Sequence, residues 1–292
     1  MRTKISLLRS LHLLVWFWFV PWGILQAGEW PRELKAFRGT TPVIDGALAH
    51  GEWDDAQTLG GVADWTPQFT PTTDPADLSL KGWVKYDDER LYFAFDVTDD
   101  VLYGIDTGRW LPEKNPKAHE LTPEGWPWFG DEMEILINAS HHWTGDENAR
   151  GDGQSWQMVC NLTKSRRGGV GVGGLLEGEP RSRPEAWQTY QDWIATGAMT
   201  AAAQPKPSGK GYVIEWSIAF CPCLEVAPGR FFRPGNQEVI MGLNLAIGDL
   251  DEPAKGTGNF GNFHHEDWFA GEKNKRTNLR QWGQLRLMPV GR

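Results

Sequence analysis

Apolar residues recur at every second position in short runs along this chain, and clusters of Gly, Pro, Asn and Asp separate the runs. That period belongs to strands that bury one face, not to helices. The clearest run is Leu91–Thr98, in which Leu91, Phe93, Phe95 and Val97 share a face opposite Asp96 and Thr98. The Asp87-Asp88-Glu89-Arg90 stretch before it reads as a hairpin turn, which predicts Lys81–Tyr86 as its antiparallel neighbour. Alternation also predicts strands over Glu132–Asn138, Tyr212–Phe220, Val239–Ile247 and Gly283–Leu287. In the first of these, Met133, Ile135 and Ile137 oppose Glu132, Glu134 and Leu136. One short helix is expected over Glu185–Ala195. The pattern is that of an all-β antiparallel sandwich.

Long segments interrupt the strands. Gly104–Pro127, Ala139–Gly153, Ser165–Pro184 and Asp251–Asn278 are rich in Gly, Pro, Asn and charge and read as loops. The Gly168–Gly174 run lacks the Gly-Lys-Ser/Thr ending of a phosphate loop, so it reads as a flexible turn. At the other extreme, residues 11–25 are strongly apolar, follow Arg2, Lys4 and Arg9, and end at Gln26-Ala27-Gly28. This is the layout of a secretory signal peptide over residues 1–27, leaving 28–292 as a single domain exported to the periplasm or the extracellular space. Retention of the leader as an N-terminal anchor is the alternative. No later stretch is apolar enough to span a membrane, so no span is expected after cleavage.

A formal net charge of -9, with no basic run to offset it, excludes nucleic acid as a partner class. Three cysteines cannot all pair. Cys221 and Cys223 are too close for an easy mutual bridge, but either could reach Cys160 in an exported chain. The 17 Trp exceed what one core readily absorbs, since a buried indole needs a partner for its N–H. Some are expected at a binding surface, whereas Trp53, Trp83 and Trp216 lie in strands or at the start of the domain and read as packing.

Ordered landmarks then carry a resemblance. Val43-Ile44-Asp45-Gly46-Ala47-Leu48 with Gly51-Glu52-Trp53 is followed by Tyr86-Asp87-Asp88, Val97-Thr98-Asp99-Asp100, Trp128-Phe129-Gly130-Asp131-Glu132-Met133-Glu134-Ile135, Gly211–Glu215, Asn244–Asp251 and Trp282–Leu287. This series resembles the family 9 carbohydrate-binding modules over almost all of the chain after the leader. The resemblance implies an immunoglobulin-like or jelly-roll-like sandwich of the DOMON-like kind that binds oligo- or polysaccharide, such as xylan or cellulose chains or their ends, without catalysis. It implies Trp128 and Trp268 as plates on which sugar rings stack, and Glu134 as a hydroxyl-binding carboxylate. Gln157 stands where the family has an Arg, exchanging a two-pronged donor for an amide with one donor end and one acceptor end. Two stacked Trp rings would supply about 5 kcal/mol, consistent with micromolar to millimolar binding.

The resemblance also implies structural calcium, for which Asp99, Asp100, Asp249 and Asp251 offer hard oxygen ligands at strand ends. Since no catalytic domain is recognisable, any glycoside hydrolase it serves would be a separate chain. Three other readings remain, one of them a purely structural cell-surface module that binds no sugar. A glycoside hydrolase acting on O-glycosyl bonds would draw a carboxylate pair from Glu124, Asp131, Glu132, Glu134 and Glu215. A haem-binding electron-transfer module of the DOMON-like fold would use His141-His142 or His264-His265.

Overall fold

The computed structural model describes residues 32–290 apart from 63–64, 69, 105–129, 142–154, 165–169, 179–183, 252–262 and 269–280. In chain order the strands are β1 (Glu33–Ala36), β2 (Gln57–Leu59), β3 (Thr66–Pro67), β4 (Leu78–Tyr86), β5 (Arg90–Asp99), β6 (Glu132–Asn138), β7 (Ser155–Lys164) and β8 (Val170–Gly178). They continue as β9 (Met199–Pro205), β10 (Tyr212–Ala219), β11 (Glu225–Ala227), β12 (Arg230–Phe231), β13 (Val239–Leu250), β14 (Phe263–Asp267) and β15 (Gly283–Leu287). Helix α1 (Pro184–Ala195) precedes β9, and a single turn, α2 (Phe220–Cys223), follows β10.

The strands hydrogen-bond in the order β1-β15-β13-β6-β7-β8-β9-β10-β5-β4-β2, with β14 and β3 added beside β13. Almost every pairing is antiparallel; β1 with β15 is parallel. Only the Gly173–Ala203 pair joins β8 to β9 among the described residues, and at this seam the path divides into two sheets. The first holds β6, β7, β13, β14 and β15, and the second holds β4, β5, β9 and β10.

The core lies between them and follows from the alternation. Met133, Ile135 and Ile137 of β6 stand beside Ile247, Leu245 and Leu243 of β13, while Phe93 and Phe95 of β5 stand beside Trp216 and Ile214 of β10. All ten are fully or almost fully buried. The turn between β4 and β5 is closed by Asp87, whose carboxylate accepts the backbone N–H groups of Glu89 and Arg90, each at 2.8 Å.

Three expectations are corrected. The glycine-rich run is a strand from Val170 onward: β8 pairs with β7 through two register shifts, which accommodate its irregular spacing. Part of the segment expected to be a loop after Asp251 is β14, paired to the end of β13. No disulfide forms, since all three cysteines are free thiols. Cys160 is buried on the core side of β7 and Cys223 is buried at α2, with Cys221 exposed beside it.

The Ile-Asp-Gly entry segment has a mechanical role. Glu215 projects from the outer face of β10, where its Oε2 accepts the N–H groups of Asp45 (3.1 Å) and Gly46 (2.9 Å) and its Oε1 accepts Trp53 Nε1 (3.0 Å). Gly46 has φ +81°, and a Cβ there would meet Gln204 at 2.8 Å, so the turn requires glycine. Lys85 Nζ completes the clamp, donating to Asp55 Oδ1 (2.8 Å) and the Glu52 carbonyl (2.5 Å) beneath the Trp53 ring. Burial raises the pKa of Glu215, opposed by these three donors. Glu215→Ala is expected to destabilise the fold by about 2–3 kcal/mol, because it leaves buried donors without an acceptor. Urea unfolding checks this, and a change under 0.5 kcal/mol would contradict the clamp.

Candidate functional site

The outward face of β6, β7 and β13 carries a set of buried polar side chains interspersed with the apolar Leu136, Val159 and Ala246. Glu132, Glu134 and Asn138 of β6, Gln157 and Asn161 of β7, Asn244 of β13 and Asp267 of β14 are each at most 7% exposed. Alternation explains their common side: the inward residues of the same strands fill the core, so each intervening residue faces outward. Most such faces are either wet or apolar, and a dry polar floor is informative because its groups must find hydrogen-bond partners.

Their bonding is specific. Gln157 Nε2 donates to Glu134 Oε2 at 2.7 Å across the β6–β7 pair. Asn138 Nδ2 donates to Ser155 Oγ at 2.9 Å, and Asn244 Nδ2 to Asp267 Oδ1 at 3.0 Å. Gly242 and Gly248 of β13 keep the floor low, and a Cβ on Gly248 would meet Glu132 Oε1 at 2.7 Å. These groups form a plate of carboxylates and amides suited to a neutral ligand rich in hydroxyls.

On the inward side, at one end of the sandwich, three carboxylates converge between the sheets. Asp99 ends β5, Asp131 precedes β6 and Asp249 lies near the end of β13, with ligand oxygens all within 4.8 Å of one another. Asp99 Oδ1 accepts the Val101 N–H at 2.8 Å and Asp131 Oδ2 accepts that of Tyr103 at 2.5 Å. Neither oxygen of Asp249 meets a hydrogen-bond donor among the described residues. Burial, reinforced by the neighbouring negative charges, lifts Asp99 to about 7 and Asp249 to about 9, and raises Asp131 as well. The buried Tyr212 hydroxyl, its own pKa raised by burial and by the same charges, faces this group. A second, more open trio of Asp77, Asp100 and Asp251 also brings its oxygens within 4.8 Å.

With this geometry in place, the sequence matches the model of the carbohydrate family 9 binding domain-like family over residues 44–289. The chain belongs to that family. The fold agrees with it: two structures of a family 9 carbohydrate-binding module from Caldicellulosiruptor kristjanssonii, one in complex with cellotriose and one with glucose, superpose with TM-scores of 0.51 and 0.52. Each is 15% identical and covers 89% of this chain, matching 95% and 97% of its own length respectively. No curated protein matches the sequence.

Within this family 9 domain, the structure brings together only some of the residues expected to share a site. Glu134 and Gln157 are in direct contact. Trp128 lies outside the described residues. Trp268 is not brought to the pair: its backbone N–H donates to the Leu245 carbonyl, and the residue is 5% exposed, packed within the core. Since Ala246 pairs with both Glu134 and Asp267, the residue after Asp267 turns to the opposite side of the sheet. There the ring occupies the space left by Gly283, whose Cβ would lie 2.3 Å from it.

The four aspartates expected to bind metal divide between the two trios, Asp99 and Asp249 in the buried one and Asp100 and Asp251 in the open one. Asp131 and Asp77, not expected as metal ligands, complete them. Of the carboxylates considered for catalysis, Glu215 is engaged in the entry clamp on the other sheet and Asp131 is interior. Glu124 lies outside the described residues, as does His142. His141 lies just beyond β6, and His264 and His265 lie on β14.

Proposed function

We propose that this domain binds neutral polysaccharide, such as xylan or cellulose chains or their ends, on the outward face of β6, β7 and β13, and that it does so without catalysis. The observation that carries this reading is the buried Glu134–Gln157 pair in the middle of that polar floor. A sugar rim presents hydroxyls that donate and accept, and a carboxylate beside an amide engages adjacent hydroxyls. Family membership and the sugars bound by the two structural neighbours support the same class of ligand. Trp128, next to this strand in sequence, is the ring proposed to stack on the sugar.

The leader-like residues 1–27 support export to the periplasm or cell exterior, where the domain would serve separate glycoside hydrolases. Calcium belongs to the same reading. The buried trio supplies only hard oxygens, and the unsatisfied Asp249 carboxylate fits a cation better than an empty interior. Asp99, Asp131 and Asp249 would hold it and tie the two sheets together. Asp77, Asp100 and Asp251 form a second, weaker candidate.

Electrophoresis through gels containing soluble xylan, hydroxyethyl cellulose or polygalacturonate tests the ligand class. Retardation by a neutral polymer, with no reducing sugar released on long incubation, is the expected result. Release of reducing ends that is lost in Glu134→Gln would establish a hydrolase instead, and free migration in every gel would contradict sugar binding.

A further inference from the structure

The bonding of the floor restricts what a ligand must present to it. Gln157 is 7% exposed, and its Nε2 donates to Glu134 Oε2. An ionised carboxylate only accepts, so this contact fixes the orientation of the amide, with nitrogen toward Glu134 and oxygen away from it. Oε1 then accepts a hydrogen bond from no described residue. Nearby amides differ: Asn138 donates to Ser155 and accepts from Ser140 Oγ at 2.9 Å, and Asn244 donates to Asp267 and accepts the Leu245 N–H at 2.9 Å. A buried carbonyl oxygen without a donor costs about 1–3 kcal/mol. Among the described residues Gln157 Oε1 has no donor, and a ligand hydroxyl would supply one.

Building on the sugar-binding reading, we propose that Gln157 is the specificity-determining residue of this face. Its amide oxygen selects a sugar unit with a free hydroxyl that donates to it, while Glu134 holds that amide in place. A group that only accepts, such as a uronate carboxylate, a methyl ether or a fluorine, brings lone pairs against a lone pair and is rejected. The ligand is therefore a sugar unit that turns a free hydroxyl to this position, and a uronate, which also carries hydroxyls, is disfavoured by the carboxyl groups of Glu132 and Glu134 on the same floor.

The test is calorimetric titration of the full chain and of Gln157→Met with cellotriose, xylotriose, trigalacturonate, and glucose with its monodeoxyfluoro analogues. The unaltered chain is expected to bind a neutral sugar and to bind trigalacturonate at least tenfold more weakly. One fluoro position should lose roughly three- to tenfold in affinity. Gln157→Met should lose a similar factor for the neutral sugar and no longer distinguish that fluoro analogue from its parent. If the methionine variant fails to fold, Gln157→Asn gives the same readout, because it withdraws the oxygen by one methylene. Equal binding of trigalacturonate, or unchanged discrimination in a folded Gln157 variant, would overturn this proposal and leave sugar binding standing. Absence of binding to every sugar by the unaltered chain would overturn both.

Discussion

In the absence of divalent metal, thermal stability is expected to fall steadily as the pH rises from about 5 to about 9, and added calcium is expected to restore it. The cause is the buried trio of Asp99, Asp131 and Asp249. In the unfolded chain these groups ionise near pH 4. In the folded chain Asp99 keeps its proton to about 7 and Asp249 to about 9. Between those limits the folded state binds more protons than the unfolded state, so each step up in pH favours unfolding. The loss is complete once the highest folded pKa is passed. Its size is on the order of 5 kcal/mol, or roughly 10 °C in Tm or more for a domain of this size. On the proposed reading calcium would take the place of the protons, so its stabilising effect should be small at pH 5 and large at pH 9. Asp249→Asn removes one of the charges and should flatten the metal-free profile and abolish most of the calcium effect. Scanning calorimetry in chelator and in calcium checks this. A metal-free Tm that rises between pH 5 and 9 would contradict the assignment of the trio.

The second large effect separates affinity from stability. Glu134→Ala is expected to weaken sugar binding roughly a hundredfold and to lower stability by only about 1–3 kcal/mol, the cost of one buried donor left unpaired. Hydrogen bonds to a buried charge contribute about 1.5–3 kcal/mol each, and truncation also strands Gln157 Nε2 without its acceptor. Trp268→Ala should do the reverse. Its ring packs in the core against Gly283, so truncation should cost about 3–5 kcal/mol of stability and leave affinity almost unchanged in the folded fraction. A Trp268→Ala variant that folds normally and has lost affinity would show that the ring reaches the ligand.

The contrast between these residues shows what the sequence could convey. Strands whose apolar residues recur at every second position, such as Glu132–Asn138 and Gly283–Leu287, are found with the expected boundaries, because such a row has only one way to face a core. The run from Val170 to Gly178 is a strand because β7 pairs with it, and pairing leaves no local mark on a glycine-rich sequence. Phe263–Asp267 was hidden by its polar composition. Without that strand no parity could be assigned to Trp268, and its inward side followed only from the register with β13.

The candidate site divides in the same way. Glu134 and Gln157 were legible as positions in a family series, but the contact between them depends on cross-strand register. Asp99 and Asp249 were legible as carboxylates at strand ends. Asp131 joins them only because β5, β6 and β13 converge at one end of the sandwich, and Asp77 joins the outer trio for the same reason. Convergence of distant strands is a property of the fold, and local composition does not report it.

A crystal structure of the chain with bound cellotriose or xylotriose tests the central claim most directly. The expected result is a sugar ring on the outward face of β6, β7 and β13, with hydroxyls in hydrogen-bond contact with Glu134 and Gln157 Oε1. Density for the sugar on the opposite sheet or in the cleft beside Arg90 and Phe232, with Glu134 untouched, would contradict it.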